Sequence, residues 1–239
     1  MANQPDINLY TASTMNGWKP VIFLEEAGVD YELTHIDFSK KEQKSDWYMA
    51  LNPNGRIPTI VDRGNDDFVV FESGAILWYL AEKYGQFLPS REKGRSHTLQ
   101  WLMFQMSGIA PMMGQAMYFQ RIAKPQGHHE AFSIKRYVKE SRRLLEVLDK
   151  QLDGQLYLVG DDFTIADIAT YPWARSYYWA KVSVDGLDNL NAWFDRIDER
   201  PATQRALEIP KPYWAFFGKG DIAAQESENA ERFKSDVKA

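Results

Sequence analysis

Two groups of polar residues stand where chemistry is possible. The first is Tyr10, Ser13, Thr14 and Asn16, just ahead of the apolar run that begins Trp18-Lys19-Pro20-Val21-Ile22-Phe23-Leu24. Hydroxyl and amide donors at the positive end of a helix favour an anion over its protonated form. The second group is Arg56-Ile57-Pro58 followed by Glu72-Ser73. A proline directly before the run Thr59-Ile60-Val61 belongs at the first residue of a strand, because it has no N–H for a ladder. A cis Ile57–Pro58 bond would hold the Ile57 backbone outward. Ser73 opens an apolar run and reads as an N-cap, so free helix N–H groups face the same region. An outward backbone edge beside such a helix start is a receptor for a small peptide carboxylate.

The chain of 239 residues contains no cysteine. A disulfide framework, Cys-ligated metals and a protein thiol nucleophile are therefore excluded, and any thiol chemistry must use a thiol that a ligand brings. A thiol of pKa about 8.5 is mostly protonated at neutral pH, while its thiolate is the nucleophile. Thr14 and Asn16 have two readings that the residues alone leave level: donors to such a sulfur, or caps of the helix that follows. His128-His129 is an adjacent pair in a chain of 4 histidines, and adjacent side chains rarely converge on one ion, so a solvated loop is expected and no metal.

The elements that must position these residues follow from periodicity and punctuation. Ile7–Tyr10 reads as a strand, 18–27 as a helix stopped by Gly28, and 31–38 as a strand. Residues 45–51 carry a helical turn or two, 59–62 and 68–71 form a hairpin, and 73–84 is a helix stopped by Gly85. The order βαβαββα describes a small mixed-sheet domain over about residues 1–87. Residues 88–93 read as a linker, and beyond them the strand signal disappears. A helical domain is expected over 94–220, with helices at about 93–108, 112–122, 131–152, 164–181, 189–200 and 202–207. Pro111 marks a kink or break. Thr164 and Asp167 read as a capping box, assigned to folding alone. A polar, loosely held tail is expected over 221–239.

Composition narrows the partners. A net charge of −5 with scattered basic residues gives no basic face for nucleic acid or an anionic membrane. No apolar run reaches 18 residues, and the N-terminus lacks the pattern of a signal peptide. A cytoplasmic protein is expected.

Taken together, Asn52-Pro53-Asn54-Gly55-Arg56-Ile57-Pro58, Phe71-Glu72-Ser73-Gly74-Ala75-Ile76 and Phe163-Thr164-Ile165-Ala166-Asp167-Ile168 resemble the glutathione transferase family in order and spacing. The resemblance spans about residues 7–215. It implies a thioredoxin-like N-terminal domain, an all-α C-terminal domain and a homodimer as in that family. Within the family, the loop 10–19, Leu99-Gln100-Trp101-Leu102 and 111–115 are similar to the bacterial Nu class and the fungal nitrogen-regulator-like group. Nu-class members are similar to disulfide-bond reductases that use glutathione itself as the thiol. The resemblance places Thr14 and Asn16 at the sulfur, with Ser13 and Tyr10 as competitors. It gives the Ile57 backbone, beside Pro58, to the cysteinyl unit, Arg56 to the glycine carboxylate, and Glu72 and Ser73 to the γ-glutamyl end. Arg136 would reach a second glutathione, although an Arg beside Glu140 on a helix surface is an equal reading. Gln115, Tyr118 and Phe119 would line the pocket for a small disulfide or electrophile, though such aromatics are more often core. Glutathione, reduced or oxidised, is the expected co-substrate. The alternatives are conjugation of glutathione to small electrophiles and a non-catalytic glutathione-binding regulator.

Overall fold

A computed structural model describes residues 4–212, 214–221, 223, 224 and 227. Four strands, β1 (Ile7–Thr11), β2 (Tyr31–His35), β3 (Thr59–Asp62) and β4 (Phe68–Phe71), form one sheet in the order β2-β1-β3-β4. β1 runs parallel to β2, and the β1–β3 and β3–β4 pairs are antiparallel. Tyr10 faces Thr59 across one pair and Thr59 faces Phe71 across the next. The end of β1, the start of β3 and the end of β4 therefore share one end of the sheet. This register brings both candidate groups of residues together.

Helix α1 (Trp18–Ala27) is buried along residues 18–24, shares one core with the sheet and stops at Gly28, whose φ of 63° is left-handed. α2 (Asp46–Leu51) follows the second strand, and α3 (Ser73–Tyr84) follows the fourth. The strand expected to reach residue 38 ends at His35. The Asp37 carboxylate accepts from the Ser39 N–H at 2.9 Å and caps a tight turn over Phe38–Lys40, which takes the chain out of the ladder.

The helical part comprises α4 (Glu92–Phe104), α5 (Ala110–Met117), α6 (Ala131–Gln151), α7 (Ile165–Arg175), α8 (Asp188–Asp198) and α9 (Pro201–Leu207). Pro111 does not break its helix. A π turn over Gln105–Ile109 connects α4 to α5, and Pro111 falls in the first turn of α5, where a missing N–H is tolerated. A second π turn covers Tyr118–Ala123. The helix expected over 164–181 ends at Arg175, where the Ser176 hydroxyl takes the Pro172 carbonyl at 2.6 Å and the chain tightens into a 3₁₀ turn.

The capping box is formed as expected. Thr164 accepts from the Ala166 N–H at 3.3 Å, and Asp167 accepts from the Thr164 N–H at 3.0 Å. Asp167 also accepts from the Leu158 N–H at 2.9 Å and the Trp193 indole at 3.0 Å, so it ties α7 to a loop and to α8. The sheet layer and the helices share a continuous core. Phe87 bridges them with ring contacts to Phe23 and Phe163. Nearly all of the expected tail over 221–239 lies outside the described residues.

Candidate functional site

The loop between β1 and α1 is closed by its own polar groups. The Thr14 carbonyl accepts from the Trp18 N–H at 2.9 Å, and the Thr14 hydroxyl oxygen accepts from the Gly17 N–H at 3.0 Å. Only glycine fits at 17, because a Cβ there would lie 1.9 Å from the Ala12 carbonyl oxygen. The two readings of Thr14 are compatible: the oxygen caps the turn while its O–H proton stays available as a donor.

Asn16 is held from the helical side. The Trp173 indole N–H on α7 donates to its Oδ1 at 2.8 Å. An indole is a donor only, so this contact fixes which end of the amide is oxygen and leaves the Asn16 NH₂ to donate elsewhere. Trp173 was not evident as a site residue in the sequence, since a Trp within a helix reads as core.

The competitors are engaged elsewhere. Ser13 is buried and its hydroxyl donates to the Lys211 carbonyl at 2.5 Å. Tyr10 accepts from the Asn8 amide at 2.9 Å and packs its ring against Trp47 and Tyr48.

At the start of β3 the Ile57–Pro58 bond is cis. Ile57 is outside the strand, and its backbone N–H and C=O have no hydrogen-bond partner among the described residues. The Arg56 carbonyl is gripped by the Tyr48 hydroxyl and the Asn52 amide, each at 2.8 Å, while the Arg56 side chain is exposed.

Ser73 differs from its expected place by one residue. Glu72 occupies the N-cap position of α3 and Ser73 is the first helical residue. Glu72 has φ 70° and ψ 117°, a conformation that a non-glycine residue adopts at a cost of about 1–3 kcal/mol. That backbone leaves its carboxylate exposed above a buried Ser73.

Beneath Ser73 lies Lys19, which the sequence reading passed over. Its ammonium is fully buried and donates to Ser73 Oγ at 3.1 Å, Gln105 Oε1 at 2.9 Å and Met106 Sδ at 3.4 Å. Burial pulls its pKa down to about 7, against the opposing pull of the Glu72 carboxylate. The sequence signal was a lone cation among the consecutively buried residues 18–24 of α1.

Gln115 on α5 and Arg136 on α6 are exposed, and among the described residues no hydrogen bond joins either to the groups above. Glu140 pairs with Arg143 at 2.6 Å, which leaves Arg136 as a further cation near that carboxylate. Phe119 stacks on Tyr137 with centroids 5.7 Å apart. His128 and His129 are exposed, and no metal-binding cluster occurs among the described residues.

The fold and this constellation define a protein with a thioredoxin-like mixed sheet, a helical second part, and polar groups gathered near one end of that sheet. The family model "Glutathione S-transferase, N-terminal domain" matches residues 5–82, and "Glutathione S-transferase, C-terminal domain" matches residues 109–201. The chain belongs to the glutathione S-transferase family. Among its relatives, the disulfide-bond oxidoreductase YfcG of Escherichia coli is 42% identical over 205 residues, covering 84% of this chain and 94% of that protein. A glutathione transferase of Pseudomonas putida, solved with one glutathione disulfide per subunit, superposes with a TM-score of 0.82 at 40% identity, covering 88% of this chain and 94% of that one. A Pseudomonas fluorescens member, solved with two glutathiones bound, gives 0.81 at 40% identity, covering 88% and 96%.

Proposed function

We propose that this protein is a glutathione-dependent disulfide-bond oxidoreductase in which bound glutathione supplies the thiol. The observation that carries this reading is the pairing of Thr14 with an Asn16 amide oriented by Trp173, in a chain without cysteine. Two donors at the start of α1 lower the pKa of a ligand thiol by stabilising its anion. The glutathione thiolate attacks one sulfur of a small disulfide, forming a mixed disulfide and expelling a thiolate. A second glutathione thiolate attacks the mixed disulfide, expelling the other thiolate and forming glutathione disulfide. No electron or proton source beyond two glutathiones is needed.

In this reading the Ile57 backbone pairs with the cysteinyl unit as an added strand, with Pro58 shaping its approach. Arg56 meets the glycine carboxylate, Glu72 the γ-glutamyl ammonium, and Ser73 with the α3 N–H groups the γ-glutamyl carboxylate. Arg136 serves a second glutathione, and Gln115 borders the disulfide pocket. The protein works in the cytoplasm, where reduced glutathione is abundant, and as a homodimer. The relatives support this reading, since YfcG is named for that activity and the Pseudomonas putida protein was solved with glutathione disulfide.

The test is turnover of a small disulfide such as hydroxyethyl disulfide, coupled to glutathione reductase, beside conjugation of a halogenated aromatic. Disulfide turnover well above conjugation is expected. Conjugation alone, or glutathione binding without either turnover, would overturn the assignment.

A further inference from the structure

A lysine ammonium taken fully out of water usually finds a carboxylate, and among the described residues Lys19 has none within hydrogen-bond reach. Its partners are the Ser73 hydroxyl, the Gln105 amide oxygen and the Met106 thioether. All three are neutral, and they come from both layers of the fold: α3 on one side and the π turn after α4 on the other. Met106 reaches this point because Gly74 has no side chain: a Cβ there would lie 3.1 Å from Met106 Cγ. Gln105 is itself fully buried. With its oxygen committed to Lys19, its Nε2 has no partner among the described residues. The region is thus a buried cluster with positive charge and donors in excess of acceptors.

The other charges around α1 are already matched. At the far end of α1, Glu26 pairs with Arg200 and Glu25 with Arg205 from α9. On α7, Asp167 is satisfied by Leu158, Thr164 and Trp193, and Arg175, with Tyr171, is bound to Asp198. On α3, Lys83 pairs with Asp62 and Glu82 with Arg95. Among the described residues, Glu72 is the one carboxylate whose charge favours the protonated form of Lys19, and it is exposed at the turn into α3.

We propose that Lys19 is a positioning residue that serves as the buried counter-charge to the ligand's γ-glutamyl carboxylate, acting through the Ser73 hydroxyl and taking up a proton as the ligand binds. Lys19 donates to Ser73 Oγ, so the Ser73 O–H proton must point elsewhere. In the free protein its acceptor is Met106 Sδ at 3.8 Å, a weak one. An arriving carboxylate is a far better acceptor. It takes the Ser73 proton and brings a negative charge one hydroxyl away from the lysine. Lys19 lies near half-protonation at neutral pH because burial holds its pKa at about 7. A nearby anion raises that value, so the complex binds more protons than the free protein. The inference rests on the glutathione reading above and adds to it a pH-linked residue behind the first layer of contacts.

The test is calorimetric titration of the full chain with S-methylglutathione, which has no thiol proton of its own to release. Titrations run in phosphate and in Tris, whose ionisation heats differ, so the difference in observed heat counts protons exchanged. Uptake on the order of half a proton or more per site is expected at about pH 8, fading at pH 6 where the lysine is already charged. Lys19→Met should bind roughly tenfold or more weakly and show no buffer dependence, since a charge-assisted contact is lost. Lys19→Arg keeps a permanent charge and should recover affinity without uptake. The wild-type profile stands by itself if a variant does not fold. Binding without proton uptake between pH 7 and 9, or uptake that persists in Lys19→Met, overturns this inference alone. No saturable change in heat or in tryptophan fluorescence with the wild type overturns the glutathione reading, and this inference with it.

Discussion

At the residue scale, the structure separates binding from chemistry more sharply than the side chains suggest one by one. Thr14 offers a hydroxyl whose oxygen is already used, and Asn16 an amide whose oxygen is already used. Each is thereby left as a donor, which is what a thiolate needs. A hydrogen bond to an ionised group contributes about 1.5–3 kcal/mol. Thr14→Ala and Asn16→Ala are therefore expected to lower kcat/KM for disulfide turnover by roughly 10–100-fold each. They should also raise the pKa of the bound thiol, read from the ultraviolet absorbance of the thiolate. Trp173→Phe removes neither proposed donor to the sulfur, only the hold on Asn16, and should give a smaller loss in the same direction. An unchanged thiol pKa in Asn16→Ala would return that residue to a plain loop role.

Lys19 gives a second prediction at this scale, now for stability. An unfolded lysine keeps its proton to 10.5, whereas folding lowers this one to about 7. Between those values the unfolded chain binds more protons, so this group makes stability rise with pH. Below pH 7 its full cost is present, roughly 4–5 kcal/mol at 1.36 kcal/mol per unit. Lys19→Met is expected to melt higher than the wild type at pH 6, with a gain that shrinks at pH 9 while ligand binding weakens. Equal gains at the two pH values would show that packing, not charge, sets the difference.

At the scale of elements, Asp167 shows what a cap does when it is also a junction. Thr164→Ala removes one capping acceptor and should cost about 1 kcal/mol. Asp167→Ala also strands the buried N–H groups of Leu158, Thr164 and Trp193, so about 3 kcal/mol or more is expected from thermal or denaturant unfolding. Glutathione affinity of the folded protein should not move in either variant. This element was legible in the sequence because its residues interact within four positions. So were α1 and α3, whose ends are marked by Gly28 and Gly85, and the β3–β4 hairpin. The elements that differ do so through local competition: Asp37 capping a turn, Ser176 taking the Pro172 carbonyl, and π turns that absorb Pro111. The candidate site was proposed from the sequence only where a motif carries it, as at Ile57-Pro58 and Glu72-Ser73. Trp173 and Lys19 act through partners 157 and 54 residues away, and no spacing rule reaches across such separations.

At the scale of the whole molecule, the remaining question is what covers the outer face of α4. Leu99 and Met103 are four residues apart and so lie on one side of that helix, 40% and 49% exposed. Phe71 at the end of β4 is 39% exposed, and Trp78 on α3 is part-covered by the Arg95 guanidinium 5.2 Å above its ring. Apolar side chains grouped in this way mark an association surface more often than a solvated one. Gly74 at the start of α3 lies against Met106 just beyond α4, so a second copy placed there would lie near the turn that holds Glu72, and assembly and ligand binding would share an edge. A dimer interface of ordinary size buries about 800 Å² per protomer, and charges forced into its centre are not solvated. If the proposed homodimer forms through this face, the double substitution Leu99→Glu with Met103→Glu is expected to shift it from dimer to monomer in sedimentation velocity. Helical content should be unchanged, since both positions are exposed in the single chain. Glutathione affinity should fall with assembly. A dimer that survives both charges would place its interface on another face.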